Sequence, residues 1–422
     1  MTPTRRYRPL LTGLVFTLVL GTSGNAQTNA DEELLIQRAQ AIHDEVLTLD
    51  THIDIPANYA THEIDPGEDS ALQVDLPKML TGGLDAGFFI VYVGQGPLTD
   101  EGFASAYDAA IAKFDAIDRQ SALYGHVIGL ARTPGEVDAL AKSGKLVAMI
   151  GLENGYSLGA NLEHLQEYYD RGARYMGLTH MGNTQLGDSA GGMGGAPDPL
   201  HGGLSPLGHQ AVAEMNRLGV MVDVSHAAKT TTLQAIKASE APVIASHSAI
   251  RKFHDMSRNI SRKEMRAIAK SGGVLQVVAF DAYMHEVPAE KRAAMGDIRK
   301  NMGLNTREAM RAATPDQWGA LRTEIRKLDE TWPRAGVSDL VDQIDYAVKV
   351  MGIDHVGIAS DFGGGGGIEG WDGADQTFNI TLELVRRDYS QRDIAKIWGG
   401  NLLRVWRNVE RVAARLQHDS SN

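Results

Sequence analysis

The chain of 422 residues contains no cysteine. Disulfides, zinc–thiolate sites and thiol nucleophiles are therefore excluded, and any bound metal must be held by nitrogen and oxygen alone. There is no basic excess either: 41 Lys and Arg stand against 53 Asp and Glu, a formal net charge of −12. Such a chain is a poor binder of nucleic acid or of an anionic membrane surface. Internal repeats and heptad arrays are missing. The apolar run Leu10 to Leu20 covers 11 residues, well short of the roughly 20 a spanning helix needs. What is present is ordinary globular material: 43% hydrophobic and 22% charged residues. That supports a sizeable core, which a chain without disulfides requires.

The N-terminus reads as a signal peptide over residues 1–26. Arg5, Arg6 and Arg8 form a basic region, Leu10 to Leu20 an apolar one, and Gly24-Asn25-Ala26 a cleavage point. The expected location is periplasmic or secreted. No cysteine lies in the leader, which excludes a bacterial lipoprotein. Thr4-Arg5-Arg6 fits a twin-arginine start, an ordinary secretory signal with adjacent arginines fits as well, and an uncleaved N-terminal anchor is a third option. Residues 417–422 form a polar tail, so no membrane anchor is expected after signal cleavage.

Between these ends, strand-like and helical patterns alternate. Eight short apolar runs read as strands: 46–53, 87–93, 146–152, 174–179, 220–225, 242–246, 273–279 and 355–360. Apolar residues at helical spacing occupy 103–123, 161–171, 206–218, 228–239 and 261–270. Eight such units predict an α/β fold, a closed (β/α)8 TIM barrel forming a single catalytic domain over 32–416. Residues 183–205, rich in Gly, Pro and Asp, read as a loop over the site. Residues 284–350 read as a helical insertion after strand seven. The stretch from Thr381 to Leu416 reads as two helices broken near Gly399-Gly400.

Ligand-type side chains close these strands. In His52-Ile53-Asp54, residues i and i+2 of a strand face the same side and can grip one ion together. Glu153 ends an apolar run, where a carboxylate is costly unless paired or metal-bound. It can bridge two cations. Val-Asp-Val-Ser-His226 and Val-Ile-Ala-Ser-His247 have the same shape on consecutive strands, which favours a shared ligand role. His180 ends the fourth strand, as a further ligand or a polariser of a substrate carbonyl. Asp361 ends the eighth, placed to take a proton from water and return it to a leaving amine. Arg258, in Ser257-Arg258-Asn259, can clamp a carboxylate, although by itself it reads better as a solvated surface residue. The glycines 363–367 lack the Gly-Lys-Ser/Thr ending of a nucleotide loop and read as a flexible or tightly turned loop beside the site.

Taken together, Asp50-x-His52-x-Asp54, Ile150-Gly-x-Glu153, Leu178-Thr-His180, Asp223-Val-Ser-His226, Val243-Ile-x-Ser-His247-Ser248, Ser257-Arg258-Asn259, Val356-Gly-Ile-x-Ser-Asp361-Phe and Gly400-Asn401 to Trp406 resemble the membrane (renal) dipeptidase family of zinc metallopeptidases. These are barrels of the metal-dependent amidohydrolase type. The resemblance runs from about residue 46 to residue 408. It implies a zinc dipeptidase that cleaves L-L and L-D dipeptides by attack of a metal-bridging hydroxide. His52 and Asp54 would hold one Zn2+ and His226 and His247 the other, with Glu153 bridging. His180 would steady the oxyanion, Arg258 would bind the substrate carboxylate, and Asp361 would shuttle the proton. A homodimer is compatible with the family. Gly363-Gly364 departs from the family's usual Asp-Gly after Asp361-Phe362. Cobalt or manganese would also suit nitrogen and oxygen ligands. The nearest rival is a related binuclear amidohydrolase acting on a lactone, a β-lactam or an N-acyl amino acid. A non-catalytic binding protein is the rival of another class.

Overall fold

A computed structural model describes residues 23–420. The leader expected over 1–26 lies outside the described residues except for its last four positions, which begin the helix Ser23–Glu45. No helix of the described residues is long and apolar enough to cross a membrane.

Among the described residues, nine strands form one parallel sheet: β1 Leu49–Asp54, β2 Ala86–Tyr92, β3 Ile128–Leu130, β4 Leu146–Glu153, β5 Ala173–Gly177, β6 Met221–Asp223, β7 Ile244–Ser248, β8 Val274–Val278 and β9 Val356–Ala359. Their order is β1-β2-β4-β5-β6-β7-β8-β9, with β3 attached to β4 alone. The ring closes just beyond β9, where the Asp54 amide donates to the Phe362 carbonyl at 2.8 Å. The eight expected strands are all present, and the fold is a (β/α)8 barrel. β3 was not expected. It is three residues long, and it pairs with Leu146–Ala148 at the start of β4, while β5 pairs further along the same strand.

Side-chain alternation divides the core in two. Phe88, Ile90, Val147, Met149, Tyr175, Met221 and Ile244 pack into one cluster, together with Leu402, Val405 and Trp406 of the last helix. Phe89, Val91, Ile150 and Leu152 pack into the other, with the surrounding helices. Trp406 is fully buried and lies 6.1 Å from the Phe88 ring. Burying a side chain of this kind contributes about 2–3 kcal/mol.

Two boundaries differ from expectation. The helical break lies between Arg386 and Gln391, where Asp388 has φ +59°. Gly399-Gly400 instead forms part of a π turn, Lys396–Gly400, which runs directly into the helix Asn401–Ser420. A Cβ on Gly399 would lie 3.2 Å from both Leu47 O and Leu49 Cβ, so this glycine permits close packing on the first strand. Within 284–350, helices occupy Ala289–Asn301, Arg307–Ala312 and Pro315–Arg326. The final helix, Val337–Met351, packs on β8 and β9 and on the neighbouring barrel helix Arg262–Lys270. It is the ordinary crossover between β8 and β9, so the departure from barrel rhythm ends before it.

Candidate metal centre

The carboxyl ends of the strands bring seven acidic and imidazole groups to one point, as expected of a barrel mouth. β1 supplies His52 and Asp54, β4 Glu153 and β7 His247. His180, His226 and Asp361 lie two or three residues beyond β5, β6 and β9. Glu153 is the hub. Its Oε1 lies 3.2 Å from His226 Nε2, 3.3 Å from His247 Nε2 and 3.8 Å from His180 Nε2. Its Oε2 lies 3.6 Å from His52 Nε2. That same His52 nitrogen is 3.4 Å from Asp54 and 4.0 Å from Asp361. Three overlapping groups have ligand atoms all within 4.8 Å of one another: His52, Glu153 and His247; Glu153, His180 and His226; His52, Asp54 and Asp361.

Hydrogen bonds on the far side of the rings set their tautomers. The Tyr175 hydroxyl donates to Thr51 O at 2.9 Å, so at 3.1 Å it accepts from His52 Nδ1–H. The Ser246 hydroxyl donates to Asp223 at 2.6 Å, so at 2.8 Å it accepts from His247 Nδ1–H. In their neutral form both imidazoles therefore present an Nε2 lone pair to the centre, the arrangement a metal ligand requires. His52 Nε2, Asp54 Oδ1 and Glu153 Oε1 are buried without a hydrogen-bond partner among the described residues. Converging, unpartnered ligand-type atoms of this kind fit a divalent cation.

The electrostatics point the same way. Burial holds the imidazoles of His226 and His247 well below their ordinary range, and nearby His180, His52 and Arg258 reinforce it. Glu153 is held well below the usual carboxylate range. Burial opposes this, but the imidazoles of His180, His52, His226 and His247 gathered round it outweigh burial. Burial pushes the Asp361 carboxyl up to about 8, with Asp54 and Glu153 adding to the rise against His52 and Arg258.

Local backbone strain also gathers here. Asn154, His226 and Asp361 have φ of +75°, +64° and +59°, an unfavourable region for residues with a Cβ. The glycine loop explains part of this geometry. A Cβ on Gly364 would lie 2.4 Å from carboxylate oxygens of both Asp361 and Asp54. The loop is thus tightly turned against the two acids. Gln73 fastens it by donating to Gly366 O at 2.9 Å and accepting from Gly363 N at 3.1 Å.

Arg258 is only 2% exposed. It donates to Ser248 Oγ at 2.7 Å and to His247 O at 2.6 Å, with the Tyr283 ring centroid 5.0 Å away. The reading of Arg258 as a solvated surface residue is therefore overturned. The loop after β7 folds back over the strand ends instead of outward. Sequence reasoning passed over Tyr175, the Ser246–Asp223 relay and Lys113. The first two leave no periodic signal. Lys113 does leave one, because it interrupts the apolar stripe Ala106, Ala110, Phe114 and Ile117.

A closed parallel barrel with a buried imidazole–carboxylate cluster at its carboxyl mouth, strained ligands and an adjoining buried arginine defines a metal-dependent hydrolase. The chain belongs to the membrane dipeptidase family, peptidase family M19, whose family model matches residues 36–420. It is similar to the probable dipeptidase PvdM from Pseudomonas aeruginosa, with 34% identity, a TM-score of 0.78, and coverage of 90% of this chain and 100% of that one. Dipeptidase tcpJ from Claviceps purpurea is 27% identical over 354 residues, 83% of this chain and 72% of its own. A metallo peptidase from Rhodobacter sphaeroides, solved with a phosphinate mimic of the dipeptide L-Ala-D-Ala, shares the fold at 21% identity, a TM-score of 0.67, and coverage of 86% of this chain and 99% of that one. This protein is accordingly a metallodipeptidase, a hydrolase with a buried His/Glu/Asp cluster able to bind metal.

Proposed function

We propose that the centre holds two zinc ions and hydrolyses L-L and L-D dipeptides, those derived from peptidoglycan among them, in the periplasm or outside the cell. His52 and Asp54 would hold one ion, His226 and His247 the other, and Glu153 both. When bound, such a pair lowers the pKa of water and polarises a carbonyl.

The observation that carries the reading of substrate is Arg258. The residue is 2% exposed, and its guanidinium has no carboxylate partner among the described residues. A buried charge without a counter-ion is strongly unfavourable, and a substrate's terminal carboxylate would supply one. This favours dipeptides, in which that carboxylate lies one residue from the scissile bond. His180 is held below its ordinary range by burial. As a neutral imidazole it would donate a hydrogen bond to the carbonyl oxygen as negative charge develops there. Asp361 would accept the proton released by attacking water on a carboxylate oxygen and deliver it to the departing amine nitrogen.

The test is release of free amino acids from L-L and L-D dipeptides by the zinc-loaded chain, with a chelated sample alongside. Cleavage that vanishes on chelation and returns with zinc supports the reading. Absence of cleavage in a sample shown to hold two ions would transfer it to a lactone, β-lactam or N-acyl substrate.

A further inference from the structure

A second cation faces the centre from the side opposite Arg258, and the mechanism above does not use it. Lys113 lies on the helix Asp100–Tyr124, whose core-facing residues include the buried Ala106, Ala110, Phe114 and Ile117. Helical spacing puts Lys113 on that same face. Its Nζ lies 5.3 Å from the centroid of the Tyr92 ring, and that ring is 4.8 Å from His180. Tyr92 ends β2 as the register partner of Glu153. The lysine is half-buried and feels the charges of Asp54 and Glu153. It nevertheless has no carboxylate within 4.0 Å and no hydrogen bond among the described residues.

Barrel order fixes its relation to Arg258. β2 and β7 are four strands apart in either direction round the ring, and Arg258 is anchored on His247 and Ser248 of β7. The two cations therefore flank the cluster across the width of the mouth. A substrate with its terminal carboxylate on Arg258 and its scissile carbonyl over the cluster directs its first residue toward β2. The Tyr92 face offers the ammonium only a weak cation–π contact, and a carboxylate would be a stronger partner.

We propose that Lys113 is a specificity-determining residue that selects dipeptides whose first residue carries a side-chain carboxylate, Asp or Glu. The proposal rests on the placement of the substrate's terminal carboxylate at Arg258.

The experiment compares kcat/KM of the zinc-loaded full chain for Glu-Ala against Gln-Ala and Asp-Ala against Asn-Ala, in wild type, Lys113→Met, Lys113→Arg and Lys113→Glu. Binding of non-hydrolysable phosphinate analogues of Glu-Ala and Gln-Ala is measured by calorimetry in parallel. A half-buried charge pair predicts an advantage of about tenfold for the acidic member in wild type, chiefly through KM. That ratio should collapse toward one in Lys113→Met, survive in Lys113→Arg and invert in Lys113→Glu. Equal rates and equal binding for the charged and amide members in wild type overturn the proposal. So does a loss in Lys113→Met that is the same for both, which would mean that the lysine merely supports Tyr92. Dipeptide turnover without charge preference sinks the role of Lys113 and leaves the dipeptidase reading standing. Charge-dependent binding without turnover does the reverse.

Discussion

The Nε2 atoms of His226 and His247 lie 2.9 Å apart, and each is within 3.3 Å of the same oxygen of Glu153. In the chain alone, His226 Nε2–H can donate to the His247 Nε2 lone pair; a divalent cation seated between the two would take both nitrogens as ligands instead. The second sphere then becomes testable through Ser246, whose hydroxyl ties His247 Nδ1 to Asp223. Ser246→Ala should weaken metal affinity about 10- to 100-fold, the usual effect of losing an outer-sphere partner. Competition with a graded series of chelators measures it, and unchanged affinity would remove the relay from the account.

Arg258→Met keeps much of the side-chain volume and removes the charge. Loss of a buried partner for a carboxylate predicts a drop in kcat/KM of roughly 10²-fold or more for free dipeptides. The preference for a dipeptide over its C-terminal amide should disappear with it. Steady-state kinetics on such pairs is the check, and a preserved preference would assign carboxylate recognition elsewhere.

Metal binding should release protons at neutral pH. In the chain alone, burial pushes the Asp361 carboxyl up to about 8. Glu153 and Asp54 raise the His52 imidazole well above its ordinary range, although burial opposes them. Both groups therefore carry a proton at pH 7. A cation favours the ionised carboxylate and the neutral imidazole, so loading expels those protons and apparent affinity rises as pH increases from about 6 to about 8. Above the Asp361 value its share vanishes, because that carboxyl is already ionised. Calorimetry in buffers of different ionisation enthalpy counts the protons; uptake on binding would contradict the assignment.

The glycine loop should be intolerant of a single methyl group at one position. Gly364→Ala places a Cβ 2.4 Å from oxygens of both Asp54 and Asp361, and overpacking of this kind costs about 1–3 kcal/mol. We expect lower metal occupancy and activity with the barrel still folded. Gly194→Ala, where a Cβ meets nothing within 4 Å, is the control. Equal behaviour of the two variants by metal analysis and circular dichroism would contradict the role given to the loop.

Much of the centre could be read before any coordinates, because it repeats a pattern: an apolar run closed by a ligand-type side chain. His52, Asp54, Glu153, His180, His226, His247 and Asp361 all follow it. Arg258 does not, since it sits in a loop whose path depends on packing, and only the family resemblance raised it above a surface arginine. Lys113 was visible only as a charge in an apolar helical stripe, with nothing local to say which surface that stripe would meet.

The sequence by itself determined the number of barrel strands, the approximate position of the helices and the identity of the groups that close the strands, because alternation of apolar residues with period 2 or 3.6 is a local property of the chain. Tertiary structure decided the rest. Barrel closure between Asp54 and Phe362 brought residues some 300 positions apart into one cluster. Distant partners chose the tautomers of His52 and His247. The ring order β2 to β7 set Lys113 across from Arg258. Each depends on pairing between segments remote in sequence, and so on the geometry of the closed barrel as a whole.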